Sequence, residues 1–109
     1  MNEKDILNRI RSEKFTDNNG TVLRAVNIGR TNYNRLAQLR AALDTDIDAA
    51  EFADAVNYLY LAGYISMRKI SSGQPADPAD TPIDECEAKL TADGIRLLAG
   101  KISDECVRV

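Results

Sequence analysis

The stretch DAAEFADAVNYLYLAGYISMRK, residues 48–69, constrains the fold more than any other part of the chain. Asp48 stands three residues before Glu51, so the two can form a capping box, in which each side chain satisfies a free backbone N–H of the other. Ile47 and Phe52 occupy the two positions of a hydrophobic staple. Phe52, Val56 and Leu59, flanked by Ala55 and Tyr60, make one apolar stripe. Gly63 offers the left-handed residue that ends helices, and Tyr64 is placed to touch Leu59 as in a Schellman stop. The spacing therefore predicts a helix over 48–62 that turns at once into a strand, YISMRKI, with Ile65 and Met67 on one face.

That strand needs a partner, and ECEAKL supplies one. Cys86, Ala88 and Leu90 alternate inward against Glu85, Glu87 and Lys89 outward, so the two runs are expected to pair as an antiparallel ribbon. Between them SSGQPADPADTPID holds all three prolines of the chain. Residues 71–84 are therefore expected to be a mobile loop rather than strand or helix interior.

Upstream, Ile6, Leu7 and Ile10 follow Asn2 at helical spacing, which predicts a short helix over 3–11 in an N-terminal extension, residues 1–15. Val22, Leu23 and Val26 share a face before Gly29, predicting a second short helix over 19–28. Thr31 or Asn32 then caps a third, over 31–43, with Leu36, Leu39 and Leu43 on one side and Thr31, Asn34, Arg35 and Gln38 on the other. Downstream, Thr91 caps ADGIRLLAGKIS, a helix carrying Ile95, Leu98 and Ile102. The tail, residues 103–109, is expected to be loose.

A chain of 109 residues with 44% apolar side chains can bury a core without a metal or disulfide, so residues 1–109 are read as one domain. There is no histidine, and Cys86 and Cys106 are not in a Cys-x-x-Cys pair. The usual zinc sites and the Ser–His and Cys–His nucleophile pairs are thereby excluded. Both cysteines are expected as free thiols, Cys86 in the core and Cys106 near a frayed end. Asp44, Asp46 and Asp48 alternate like the start of a calcium loop but lack its later glycine and glutamate, and read as helix capping. Gly94 and Gly100 belong to no phosphate-cradling pattern. The chain is thus expected to have no catalytic residues, no metal and no cofactor. No apolar run approaches the roughly 18 residues of a membrane span. MNEKDILNRIRSEK is charged where a signal peptide would be apolar, so a cytoplasmic location is expected.

Net charge is −3, which does not favour a nucleic-acid partner, yet its distribution is uneven. No acidic residue lies between Asp17 and Asp44, a stretch that holds Arg24, Arg30, Arg35 and Arg40.

Three helices leading through NYLYLAGYI into a two-stranded ribbon, followed by KLTADGIRLLAG, resemble the winged-helix domain of small bacterial and phage proteins, over residues 19–100. The resemblance implies a mainly α fold with a small antiparallel β-ribbon: three to four helices, a two-stranded wing and a closing C-terminal helix. It further implies that helices 31–43 and 48–62 form a helix-turn-helix pair, with residues 64–90 as the wing. In DNA-binding members the second helix of the pair enters the major groove and the wing touches the phosphate backbone. Here the outward positions of that helix are Ala50, Glu51, Asp54, Asn57, Tyr58 and Leu61, without an arginine or lysine. Asp44, Asp46 and Asp48 crowd its beginning and would repel phosphates.

A DNA contact is therefore expected one helix earlier. Asn34 and Gln38 suit an adenine edge, Arg35 a guanine, and Arg24, Arg30 and Arg40 the backbone, with Arg68 and Lys69 adding contacts from the wing base. A merely solvated helix face accounts for the same residues. Tyr58 and Leu61 form an apolar pair opposite the buried stripe; the helix over 3–11 must lay Ile6, Leu7 and Ile10 somewhere, and covering this pair, within the same chain or from a second copy or another protein, is one answer. Two functions stay open: a winged-helix DNA-binding protein, a regulatory or mobile-element transcription factor acting as a dimer, or a winged-helix protein-interaction module without DNA binding. Neither involves a membrane or a small-molecule substrate.

Overall fold

A computed structural model describes residues 2–109; Met1 lies outside the described residues. The order is α1 (Glu3–Ile28), β1 (Asn34–Arg35), α2 (Leu36–Ala42), α3 (Ala49–Leu61), β2 (Ile65–Lys69), a 3-10 turn (Ile83–Glu85), β3 (Cys86–Leu90) and α4 (Ala92–Leu98). Four helices and a small three-stranded antiparallel sheet, ordered β1-β3-β2, make a mainly α, winged-helix-like domain.

The α3–β2 corner forms as its residues dictate. Asp48 accepts from the Glu51 N–H at 2.8 Å, and the Glu51 carboxylate accepts from the Asp48 N–H at 3.0 Å. Gly63 takes φ +83°, and the Tyr64 N–H reaches back to the Leu59 carbonyl at 2.9 Å. Ile47 and Phe52 are both buried in the core, with Val22, Leu23 and Val26 of α1 and the inward residues of β2 and β3.

The two short N-terminal helices expected over 3–11 and 19–28 are one helix. SEKFTDNNG contains no proline to break it, and Asn18, Asn19 and Gly20 are buried within it. The low helix propensity of Asn and Gly is overridden by packing against the C-terminal segment. That segment is not loose, as expected, but pinned to α1. Asn19 donates to the Cys106 carbonyl at 2.9 Å, the Arg108 N–H bonds to the Thr16 carbonyl at 3.2 Å, and Val107 is buried. A Cβ on Gly20 would lie 1.8 Å from the Arg108 carbonyl oxygen, so only glycine allows this approach.

The helix expected over 31–43 begins five residues late, because Asn34 does different work. Its amide turns back and donates to the carbonyls of Val26, Gly29 and Asn32 at 3.0–3.3 Å, closing the end of α1. Gly29, expected to be left-handed, has φ −106°; its lack of a Cβ instead leaves room for Asn34, whose Oδ1 would be 2.4 Å from one. Residues 34–35 consequently run extended and pair with β3, so the expected two-stranded ribbon has a third strand.

The prolines do exclude regular structure from most of residues 71–84, and the segment folds back on β2: the Ala76 N–H bonds to the Met67 carbonyl at 3.0 Å, and Ala76 and Thr81 are buried. Thr91 caps α4 as expected, but the helix stops at Leu98, short of Ile102. Gly100 at φ +75° and the Lys101 N–H on the Arg96 carbonyl at 3.0 Å make a second Schellman stop.

Candidate nucleic-acid interface

Side chains alternate across a strand, so the buried row Cys86, Ala88 and Leu90 sends Glu87 and Lys89 to the outer face of the sheet. The register sets Glu87 between Arg35 on β1 and Arg68 on β2. Arg68 Nε donates to Glu87 Oε1 at 2.6 Å. The guanidinium lies 3.7 Å from the ring centre of Tyr33, two residues before Arg35, and Lys89 Nζ lies 6.0 Å from it. A planar cation over a ring face is held electrostatically, which keeps Arg68 in place beside its carboxylate. Arg68 and Lys89 thus flank one aromatic, Tyr33, and Arg35 and Arg68 flank one acid, Glu87, on a single face. Arg35 is exposed, and Gln38 stands exposed in the first turn of α2, three residues on.

Of the expected DNA contacts, the structure brings Arg35, Gln38 and Arg68 to this end of the fold and disperses the rest. Asn34 is an internal helix cap, not an outward reader. Arg40 pairs with Asp84 at 3.1 Å over the 3-10 turn. Arg24 donates to the Arg108 carbonyl at 2.9 Å, and Arg30 to Asn27 at 2.7 Å. Lys69 is exposed at the end of β2. Lys89 and Tyr33 were missed as site residues. The outward alternation of ECEAKL already marked Lys89; Tyr33 required knowing that residues 34–35 after it are extended.

The apolar pair is corrected as well. Leu61 is 71% exposed, but Tyr58 is not its surface neighbour in any open patch. Its ring meets Phe15 edge-on at 5.4 Å, and its hydroxyl donates to Asp104 at 2.7 Å. Tyr64 donates to the same carboxylate at 2.7 Å. Burial works against charge on Asp104, but these two hydrogen bonds and one from the Cys106 N–H outweigh it and hold the carboxyl below its usual range. Burial and the Asp104 charge push the Tyr64 hydroxyl up to about 12, and Tyr58 higher still. Ile6, Leu7 and Ile10 are uncovered by their own chain.

Both cysteines are free. Cys86 is buried, and burial raises its thiol. Cys106 is half-buried, its carbonyl held by Asn19. Among the described residues no helix is long and apolar enough to cross a membrane. Comparison with protein-family models, with curated proteins and with solved structures found no match to the chain.

Proposed function

We propose that this is a winged-helix protein that binds duplex DNA in a regulatory role, through the outer face of its sheet rather than through α3. The observation that carries the reading is the grouping of Arg68 and Lys89 at the ring of Tyr33, with Arg35 and Arg68 on either side of Glu87. Phosphates are recognised by such converging cations, and Gln38 beside Arg35 adds a donor and acceptor suited to a base edge. The helix α3 is unsuited to the task. Its outward side carries Asp54, Asn57 and Leu61, and Asp44, Asp46 and Asp48 precede or cap it.

Titration of a duplex at several salt concentrations tests this. Binding should weaken as salt rises, and Arg35→Ala with Lys89→Ala should flatten the slope of log K against log salt by about 1 per side chain. No binding at low ionic strength would overturn the reading. It would leave the second one, a protein-interaction module, which is favoured by the exposed Leu61 on an α3 surface without cations.

A further inference from the structure

Residues 2–14 carry only exposed side chains; Glu13 and Lys14 bond to Arg108 and Glu51 of the body, and the turns before them project from it as an arm. The molecule is 50 Å long against 30 and 24 Å across. On the arm, Ile6, Leu7 and Ile10 leave 47%, 46% and 57% of their surface open. Glu3, Leu7, Ile10 and Lys14 follow one another at steps of four, three and four, the seam of a two-stranded coiled coil. At about 100° per residue this seam is turned away from Val22, Leu23 and Val26, which face the core.

We propose that the seam is covered by the same arm of a second copy, running antiparallel. With the two-fold axis between Asn8 and Arg9, Leu7 of each copy meets Ile10 of the other, and Glu3 meets Lys14. The seam is therefore self-complementary in both its apolar and its charged positions, as an isologous interface requires. Parallel pairing would set Glu3 on Glu3 and Lys14 on Lys14, so charge selects the antiparallel arrangement. A contact within each chain fits the same scheme: Lys14 Nζ lies 2.7 Å from Glu51. The second copy's Glu3 extends it into a row of alternating sign, Glu51–Lys14–Glu3. The paired segments span only about 18 Å, so the interface is small and the association concentration-dependent.

Sedimentation velocity of the full chain over a range of concentrations tests the proposal. The wild type should shift from monomer to dimer. Two variants reverse the charge at opposite ends of the seam: Glu3→Lys, and Lys14→Glu. Each alone should self-associate about tenfold more weakly or worse, because every charged pair becomes like-charged. Mixed in equal amounts they should dimerise as the wild type does, since all the pairs are then opposite again. Circular dichroism establishes that each variant is folded. A wild type that stays monomeric throughout, variants that dimerise alone like the wild type, or a mixture that fails to associate would each overturn the arm pairing. The proposal is independent of the DNA reading, because neither variant alters Arg35, Arg68 or Lys89.

Discussion

The hydroxyl of Tyr58 on α3 donates to Oδ2 of Asp104 at 2.7 Å, fastening the C-terminal segment to the helix corner. Tyr64 uses the same oxygen, and Oδ1 accepts the Cys106 N–H at 2.8 Å. One carboxylate thus holds three donors, two of them on either side of the Gly63 stop. Asp104→Ala leaves two tyrosine hydroxyls without their acceptor and should cost about 2 kcal/mol, the scale of hydrogen bonds to a charged group. The check is a lower urea midpoint, with the amides of residues 104–108 exchanging faster than those of α3.

The same cluster makes stability depend on pH at both extremes. Asp104 has a lowered pKa in the folded state, so its contribution is present above the ordinary carboxylate range and drains as pH falls through the folded value. Tyr64 is raised to about 12, so its contribution is present below its ordinary value and is lost as pH climbs toward about 12. The thermal midpoint should therefore fall in acid and again in strong alkali. In Tyr64→Phe the alkaline fall should be shallower, and in Asp104→Ala the acid fall should be.

Gly20→Ala provides a test with a change of sign. In an unobstructed helix this substitution stabilises by about 1 kcal/mol through propensity. Here the new methyl group would strike the Arg108 carbonyl, so the full chain should be destabilised and its tail displaced. In a chain ending at residue 103 the obstacle is gone, and the same substitution should raise the melting temperature relative to that shorter parent.

Asn34 and Arg35 are neighbours in sequence with opposite roles. Asn34→Ala removes the amide that caps the end of α1 and should lower stability by about 1–2 kcal/mol. It should leave the salt dependence of DNA binding unchanged. Arg35→Ala should leave the denaturation midpoint nearly unchanged, since the residue is exposed, and should weaken DNA binding at low salt. Comparing the two variants in both measurements separates a folding effect from a binding effect.

Much of the framework is legible locally. The Asp48–Glu51 box, the Gly63 stop and the alternation of Cys86, Ala88 and Leu90 each depend on residues within a few positions of one another. Such signals survive whatever the rest of the chain does. The misread elements share the opposite property. Asn18, Asn19 and Gly20 look like a helix break until residues 106–108 are laid across them, and Asn34 looks like a polar helix position until the end of α1 needs a cap. Tyr33 entered the candidate site only when β1 proved extended.

The sequence by itself determined where α3 begins and ends, that β2 and β3 pair, and that α3 offers DNA no positive charge, because capping, alternation and charge are properties of neighbouring residues. Only the tertiary structure decided that residues 3–28 are one helix, that the tail is pinned, and which arginines remain available. Those outcomes depend on contacts between residues separated by most of the chain, such as Arg24 with Arg108 and Asn19 with Cys106. Any polar side chain in such a contact looks, in sequence, the same as one facing water.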